Sequence, residues 1–550
     1  MVVVSLIALA SAACAHAPRS DRLLTGGVVH LPGGPQRLEI AIADGRVLAL
    51  VPAADAAPWR RAAAEVVDLA GAHVFPGMTE SHGHLVGYGA ALEQVDLHDA
   101  ASLEEVVARV RQAAATLPPG AWVLGFGWDQ NLWPDKRFPT NRTLSAAVAD
   151  RPVLLRRVDG HAALANARAL ATASITAATP DPPGGRIVRE ASGRPTGVLL
   201  DTAEALLDRA VPAPTAADIE RRVLLAGRRL TTFGITEVHD PGTTAPELAV
   251  LRALHAAGRL PLRVYVMLAT NDDDWLDGEL AAGPRVSRDG MLAVRAVKLF
   301  ADGALGSRGA LLSAPYSDDP STRGLEVTSE ARLADVVRRA ARAGFQPCIH
   351  AIGDAAVTRV LDIYERELGA RGDVLRPRVE HAQIVRPEDV PRFAELDAIA
   401  SVQPIHCTSD MPWAPDRLGP ARIAWAYRWR SLLAAGAHLC LGSDVPVASP
   451  DPRLGMWAAV TRRTPQGTPS GGWNPAERLS PAEALAGYTS WAAFAAFEED
   501  WRGRIAPGYA ADLTVLDHDL TAGDPAVILQ AKVLRTVVAG RDVFVAGSGM

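Results

Sequence analysis

Phe75-Pro76-Gly77-Met78-Thr79-Glu80-Ser81-His82-Gly83-His84 is the stretch on which the reading of this chain turns. The apolar run at residues 72–75 reads as a buried strand that leads into two histidines with one residue between them. On an extended backbone, residues i and i+2 point to the same side. His82 and His84 can therefore aim two imidazoles at one metal ion from a single strand end. Alone, such a pair also fits two surface histidines in a Gly-rich turn. Partners further along shift the reading: Lys298, His350, His381 and Asp444 each stand at the C-terminal end of an apolar run that reads as a strand.

Those runs are regularly spaced. Strand-like segments at 235–239, 262–268, 294–300, 346–351, 378–381, 398–403 and 438–442 alternate with amphipathic helical segments such as 329–343, 355–368 and 427–435. Strand–helix alternation over this length implies parallel β/α units. With the strand at Phe75 they number about eight, which predicts an α/β fold, a closed (β/α)8 TIM barrel. The β-rich runs with Gly and Pro turns at 23–67 match those at 512–517 and 533–545, so a small β-sandwich built from both chain ends is expected. The domain reading is a signal-like segment at 1–21, β-sandwich halves at 22–76 and 501–550, and a barrel at 77–500 with an insertion at about 89–207.

At 550 residues, two or three domains are expected. The net charge of −6 leaves no basic face and argues against a nucleic-acid partner. Cys14, Cys348, Cys407 and Cys440 show no C-x-x-C spacing, which argues against a disulfide framework. Residues 2–13 are apolar, too few to span a bilayer, and resemble the core of a secretory signal. Ser11-Ala12-Ala13 before Cys14 resembles a lipoprotein cleavage site. The expectation is export, to the periplasm or to a membrane anchor through a lipidated Cys14.

In barrels of this kind the site lies at the C-terminal strand ends. Any one of these histidines fits a satisfied core residue. Ligand-type residues at five such ends read as a site. Only Lys136, Lys298 and Lys532 are lysines among 56 basic residues, so a lysine inside an apolar strand calls for a chemical reason. The loop 302–308, with Asp302 and Arg308, follows Lys298 and reads either as a substrate contact, Arg308 toward an anionic group, or as a plain structural turn. Trp128 reads either as a wall of the substrate pocket or as core of the insertion. His239 and Cys348 read as core residues.

The motifs Pro76-Gly77…His82-Gly83-His84, Gly127-Trp128-Asp129-Gln130-Asn131-Leu132-Trp133, Asp159-Gly160-His161, Lys298-Leu299-Phe300-Ala301-Asp302-Gly303, His350-Ala351-Ile352-Gly353-Asp354, Val379-Glu380-His381-Ala382, Leu441-Gly442-Ser443-Asp444 and Gly503-Arg504-Ile505-Ala506-Pro507-Gly508 together resemble the amidohydrolase superfamily, family 3, which includes N-substituted formamide deformylase-like enzymes. The resemblance covers nearly the whole chain. Glu80 stands where that family has Asp, in the place that supports the first histidine.

The resemblance implies a hydrolase holding one or two divalent metals, most often zinc. His82, His84 and Asp444 would hold one metal, His350 and His381 the other, with a carboxylated Lys298 as bridge. The resemblance also implies that His161 and Asn166 reach the pocket from the insertion as substrate contacts, with solvent-facing polar residues as the alternative. It implies cleavage of a non-peptide C–N bond by a metal-bound hydroxide, with Asp444 as general base. An unmodified ammonium would repel two cations, which is consistent with a modified Lys298. The rival readings are an esterase, lactonase or phosphotriesterase on the same centre, and a non-catalytic periplasmic binding lipoprotein.

Overall fold

At Gly77 the chain leaves one sheet and enters another. The computed structural model describes residues 19–118 and 120–548; the signal-like segment and Cys14 lie outside the described residues. Strand His73–Pro76 pairs with Val28–Leu31 and Leu513–Leu516, so it belongs to the sheet made by the chain ends. The first barrel strand, β1, is Met78–Glu80. Residues 72–75 are therefore not the barrel strand that the sequence reading made them. Gly77 is required at the crossing, because a Cβ there would lie 2.3 Å from Thr236 Oγ1.

The barrel continues through β2 (Ile235–Thr243), β3 (Arg263–Leu268), β4 (Leu292–Phe300), β5 (Gln346–Ala351), β6 (Arg378–His381), β7 (Ile399–Val402) and β8 (His438–Leu441). Every neighbouring pair from β1 to β8 is parallel. β3, β5 and β6 are buried along their whole length, as expected for strands with side chains on one face and helices on the other. The outer helices carry their own end signals. Helix Glu330–Ala343 begins at Ser329, whose side chain accepts from Arg332 N–H, and ends at Gly344 with φ +80°. Between β8 and β1 loop backbone closes the ring. Ser81 N–H donates to Leu441 O (3.3 Å), Asp444 N–H to His82 O (2.8 Å) and His84 N–H to Val445 O (2.8 Å).

The chain ends form a nine-stranded mixed sheet, in the order Arg541–Val545, Val533–Val538, Leu513–Leu516, His73–Pro76, Val28–Leu31, Gly34–Ala43, Ser20–Thr25 and Ala63–Asp68, with Arg46–Pro52 beside Gly34–Ala43. The expected sandwich is thus one continuous sheet. Its ten-residue strand Gly34–Ala43 pairs with Val28–Leu31 through its first half and with Ser20–Thr25 through its second. Both halves still share one core, which includes Leu24, Ile42, Val74 and Val515. The insertion is a second body of chain with a six-stranded sheet that begins at Val95–Asp96 and ends at Pro195–Asp201. It has its own core around Trp128, Trp133 and Leu155. Among the described residues no helix is long and apolar enough to cross a membrane.

A buried ion pair ties barrel to end sheet. Arg263 of β3 donates twice to Asp512, at 2.6 and 3.0 Å, and Asp512 O accepts from Gly77 N–H (2.8 Å). Breaking one partner strands a buried charge, which costs about 3–5 kcal/mol. Asp512→Asn is therefore expected to lower stability by about that amount in urea unfolding, and by much more than a neutralised exposed pair such as Arg194–Glu190.

Candidate metal centre

His82, His84, Lys298, His350, His381 and Asp444 all line one cavity of about 410 Å³ at the C-terminal end of the barrel. His82 Nδ1 lies 2.5 Å from Glu380 Oε2, which leaves its Nε2 free to face inward. That Nε2 is 3.1 Å from Lys298 Nζ and 3.6 Å from Asp444 Oδ1. His84 Nε2 lies 3.3 Å from the same Asp444 oxygen, at the more open edge of the site. His381 Nδ1 meets Gln403 Oε1 at 2.8 Å, and its ring lies 4.9 Å from His82 and 4.5 Å from His350.

One donor atom from each of His82, His381 and Asp444 lies within 4.8 Å of the other two. The arrangement thus groups His381 with His82 and Asp444 as well as with His350, so the six candidate ligands form one continuous cluster rather than two separate sets. Asp444 Oδ1 is buried, and among the described residues no donor is well aligned on it. Burial pushes the Asp444 carboxyl up, but the facing His84 and His82 imidazoles outweigh it and hold the group well below the usual carboxylate range. Burial also drives His82, His350 and His381 well below the ordinary imidazole value, so all three are uncharged at neutral pH. Neutral imidazoles around an ionised carboxylate are the donor chemistry of a divalent transition-metal site, and these residues fit one.

Several supporting side chains differ from the sequence reading. Glu80 does not hold the His82 ring: its carboxyl accepts from His82 N–H (3.0 Å) and from Ser443 N–H and Oγ (2.8 and 2.6 Å). The ring belongs to Glu380, which the sequence reading passed over as a neighbour of His381. Glu380 is backed by Arg378, with Nε 2.8 Å from Oε1. His239 is buried beneath, 3.1 Å from Arg378 Nη1, a core residue as expected. Asp302 does not line the cavity. Its carboxyl accepts from Ile352, Gly353 and Leu311 N–H groups and sits 3.5 Å from His350 Nε2, whose hydrogen-bond partner is Gly303 O at 3.4 Å. Arg308 pairs with Asp318 (2.9 Å) and faces neither wing of the cavity. Trp128 is fully buried in the insertion, its indole N–H on Leu155 O and its ring stacked on Trp133, so it does not touch the cavity. Asn166 caps helix Ala167–Thr172 and is equally remote.

His161 does reach the site. Its ring lies 5.2 Å from His350, and its Nδ1 meets Asp201 Oδ1 at 2.7 Å. Burial pulls this imidazole down, but the bond to Asp201 and that carboxylate's charge outweigh it and raise it to about 9. The space around these candidate ligands has two adjoining wings, the 410 Å³ cavity itself and a second cavity beside it. One carries Arg156, Asp240 and Glu247. The other, about 510 Å³, is walled by Leu305, Ile352, Ile405 and Trp413. Both wings share His161, His350, His381 and Asp444.

A parallel barrel with this cluster at its C-terminal strand ends defines a hydrolase of the metal-dependent barrel class. The chain belongs to the amidohydrolase family, whose model matches residues 65–544. It is 36% identical over 486 residues to the putative amidohydrolase YtcJ of Bacillus subtilis, covering 87% of this chain and 90% of that one. It is 31% identical over 494 residues to the N-substituted formamide deformylase of Arthrobacter pascens, covering 87% and 89%. Among solved structures, an uncharacterized metal-dependent hydrolase from Pyrococcus horikoshii superposes with a TM-score of 0.74 at 29% identity, over 92% of this chain and 99% of that one.

Because Glu380 alone fixes the tautomer and aim of His82, Glu380→Gln is expected to weaken metal affinity by about 10–100-fold. Metal content measured after dialysis against graded chelator checks this; unchanged retention would remove Glu380 from that role.

Proposed function

We propose that the protein hydrolyses a non-peptide carbon–nitrogen bond, in an amide, formamide or N-acyl amine, with Asp444 as general base. The observation that carries this reading is the Asp444 carboxylate: buried, kept ionised, and facing the imidazoles of His82 and His84 at 3.6 and 3.3 Å. His82, His84, Lys298, His350, His381 and Asp444 would hold one or two divalent ions, zinc by preference. When bound, such ions supply Lewis acidity and lower the pKa of water.

The chain's own groups do the rest. Asp444 accepts the proton of the attacking water and returns it to the departing nitrogen, which an amine requires to leave. His161, held cationic by Asp201, donates a hydrogen bond to the substrate oxygen. Lys298 acts in its carboxylated form. Burial lowers its amine to about 8, against the pull of the Glu380 and Asp444 carboxylates, which raises the fraction of neutral amine that can attack carbon dioxide. The product is a carbamate anion plus a released proton, and its two oxygens suit a bridging ligand. The relative named an N-substituted formamide deformylase supports the choice of bond. The wing walled by Leu305, Ile352, Ile405 and Trp413 suits an apolar substituent on the nitrogen.

A panel of N-formyl, N-acetyl and N-aroyl amines, with matched esters, tests the reading. Amide turnover is expected to exceed that of the esters once their intrinsic reactivity is divided out; the reverse order would transfer the site to ester chemistry. Asp444→Asn, assayed metal-replete, is expected to lose about 10²–10⁴-fold in kcat. Lys298→Ala is expected to lose metal and activity and to regain part of both with short carboxylic acids, while failure of rescue in a folded variant would count against the bridge. His161→Ala is expected to raise KM and reorder the panel at unchanged metal content. The cationic form of His161 persists through neutral pH and is lost as pH rises through about 9, so a rise in KM across that range is expected to be absent in His161→Ala.

A further inference from the structure

We propose that the protein carries a separate structural site for a divalent transition metal, zinc by chemical class, formed by His30, His73 and Asp519 in the sheet of the chain ends. One donor atom from each of the three lies within 4.8 Å of the others. His30 Nε2 is 2.9 Å from His73 Nδ1 and 3.8 Å from Asp519 Oδ1. These separations sit close to the roughly 3.3 Å edge of a tetrahedron with bonds of about 2.0 Å, so small side-chain movements complete the geometry.

His30 and His73 stand on adjacent strands, and Asp519 lies in the turn that follows the next one. Strand His73–Pro76 is flanked by Val28–Leu31 on one side and by Leu513–Leu516 on the other, and Leu516 is paired with His73 just before the chain reaches Asp519. The ligands are held in place by other groups. The His30 ring stacks on Phe75 at 4.0 Å and 20°. Thr521 donates to Asp519 Oδ1 through its backbone N–H (2.8 Å) and its Oγ1 (2.6 Å), the kind of bond that orients a ligating carboxylate. His30 is buried while His73 and Asp519 are half-buried, so the cluster is sheltered yet open to an incoming ion.

The physical consequence is a clip. His73 stands before the barrel and Asp519 after it, so a bond through one ion would close a loop that contains the whole barrel. Cross-links that close long loops remove the most freedom from the unfolded chain, and a metal that binds only the assembled site adds its binding energy to folding. The site lies immediately before Gly77, where the chain enters the barrel, so it would anchor the sheet from which β1 departs.

The test uses the whole chain and a readout other than turnover. Wild type, His73→Ala and Asp519→Asn are loaded with zinc, freed of weakly held metal by gel filtration, and assayed for zinc per chain and for thermal midpoint. Wild type is expected to retain about one zinc more than either variant, to gain more in Tm on loading, and to match both variants in kcat. Equal zinc content and equal Tm gain in all three would overturn the proposal. A second arm keeps the result decisive if those variants fold poorly. The His381→Ala/Asp444→Ala double variant, which lacks two of the six candidate barrel ligands, is titrated with cobalt(II) beside the same variant carrying His30→Ala, and only the signal that His30→Ala removes is assigned to the new site. A tetrahedral visible absorption band at about one equivalent is the expected result, and absence of binding there would equally overturn the site.

Discussion

A strand of three residues cannot hold the edge of a barrel by its ladder alone. β1 pairs with β2 over Met78–Glu80 but has no ladder to β8. Closure depends instead on the loops that carry the ligands. Asp444 N–H reaches His82 O, His84 N–H reaches Val445 O, and Glu80 binds Ser443 through backbone and hydroxyl. The seam of the barrel and the candidate metal centre are the same hydrogen-bonded structure. Whatever draws His82 toward Asp444 therefore also tightens the barrel. A glutamate at position 80 fits this task because its carboxyl spans to Ser443, across the seam.

Below the ligands lies a layer of buried charge. Arg378 Nη2 donates to Ser81 O (2.6 Å) and Ser401 Oγ (2.9 Å), while its Nε faces Glu380. Burial works against this guanidinium, but the Glu380 carboxylate outweighs it and keeps the arginine charged. Such a pair adds little net stability over apolar packing, because desolvating both ions costs several kcal/mol. Its value is geometric. The pair fixes Glu380, Glu380 fixes the His82 ring, and the ring offers Nε2 to the cavity. Beside His350, the Ile352, Gly353 and Leu311 N–H groups fix Asp302, and the backbone oxygen of the next residue, Gly303, meets the His350 ring.

The strand–helix rhythm was legible because buried parallel strands write themselves as apolar runs; the segments at 346–351 and 378–381 coincide with β5 and β6. The cluster was legible because its members stand at strand ends, where periodicity fixes position. The break at Gly77 was not, since the three-residue strand after it is too short to show a pattern of its own, and the close approach of Thr236 and Asp512 reveals it only in the fold. Trp128, Arg308 and Asp302 were misplaced for another reason. Each lies near the site in sequence, but a distant partner decides where its side chain goes: Leu155 and Trp133 for Trp128, Asp318 for Arg308, backbone amides for Asp302. Glu380 was overlooked because strand alternation sends it and His381 to opposite faces.

That conflict is resolved in the backbone. Glu380 reaches across the barrel to His82, and by strict alternation its neighbour His381 would point out toward the helices. Instead His381 turns at φ +73°, Ala382 follows at +40°, and the ring swings in beside His82. Asp444 does the same at the end of β8, with φ +60°. Non-glycine residues held in this region cost on the order of 1–3 kcal/mol each and persist only where the surroundings over-determine them. Here the surroundings are Gln403 on the His381 ring and the seam bonds on Asp444. The strain lets two consecutive residues of one strand serve one ligand cluster, Glu380 from below and His381 from the side. A barrel built on strict alternation would need another strand to supply the second group.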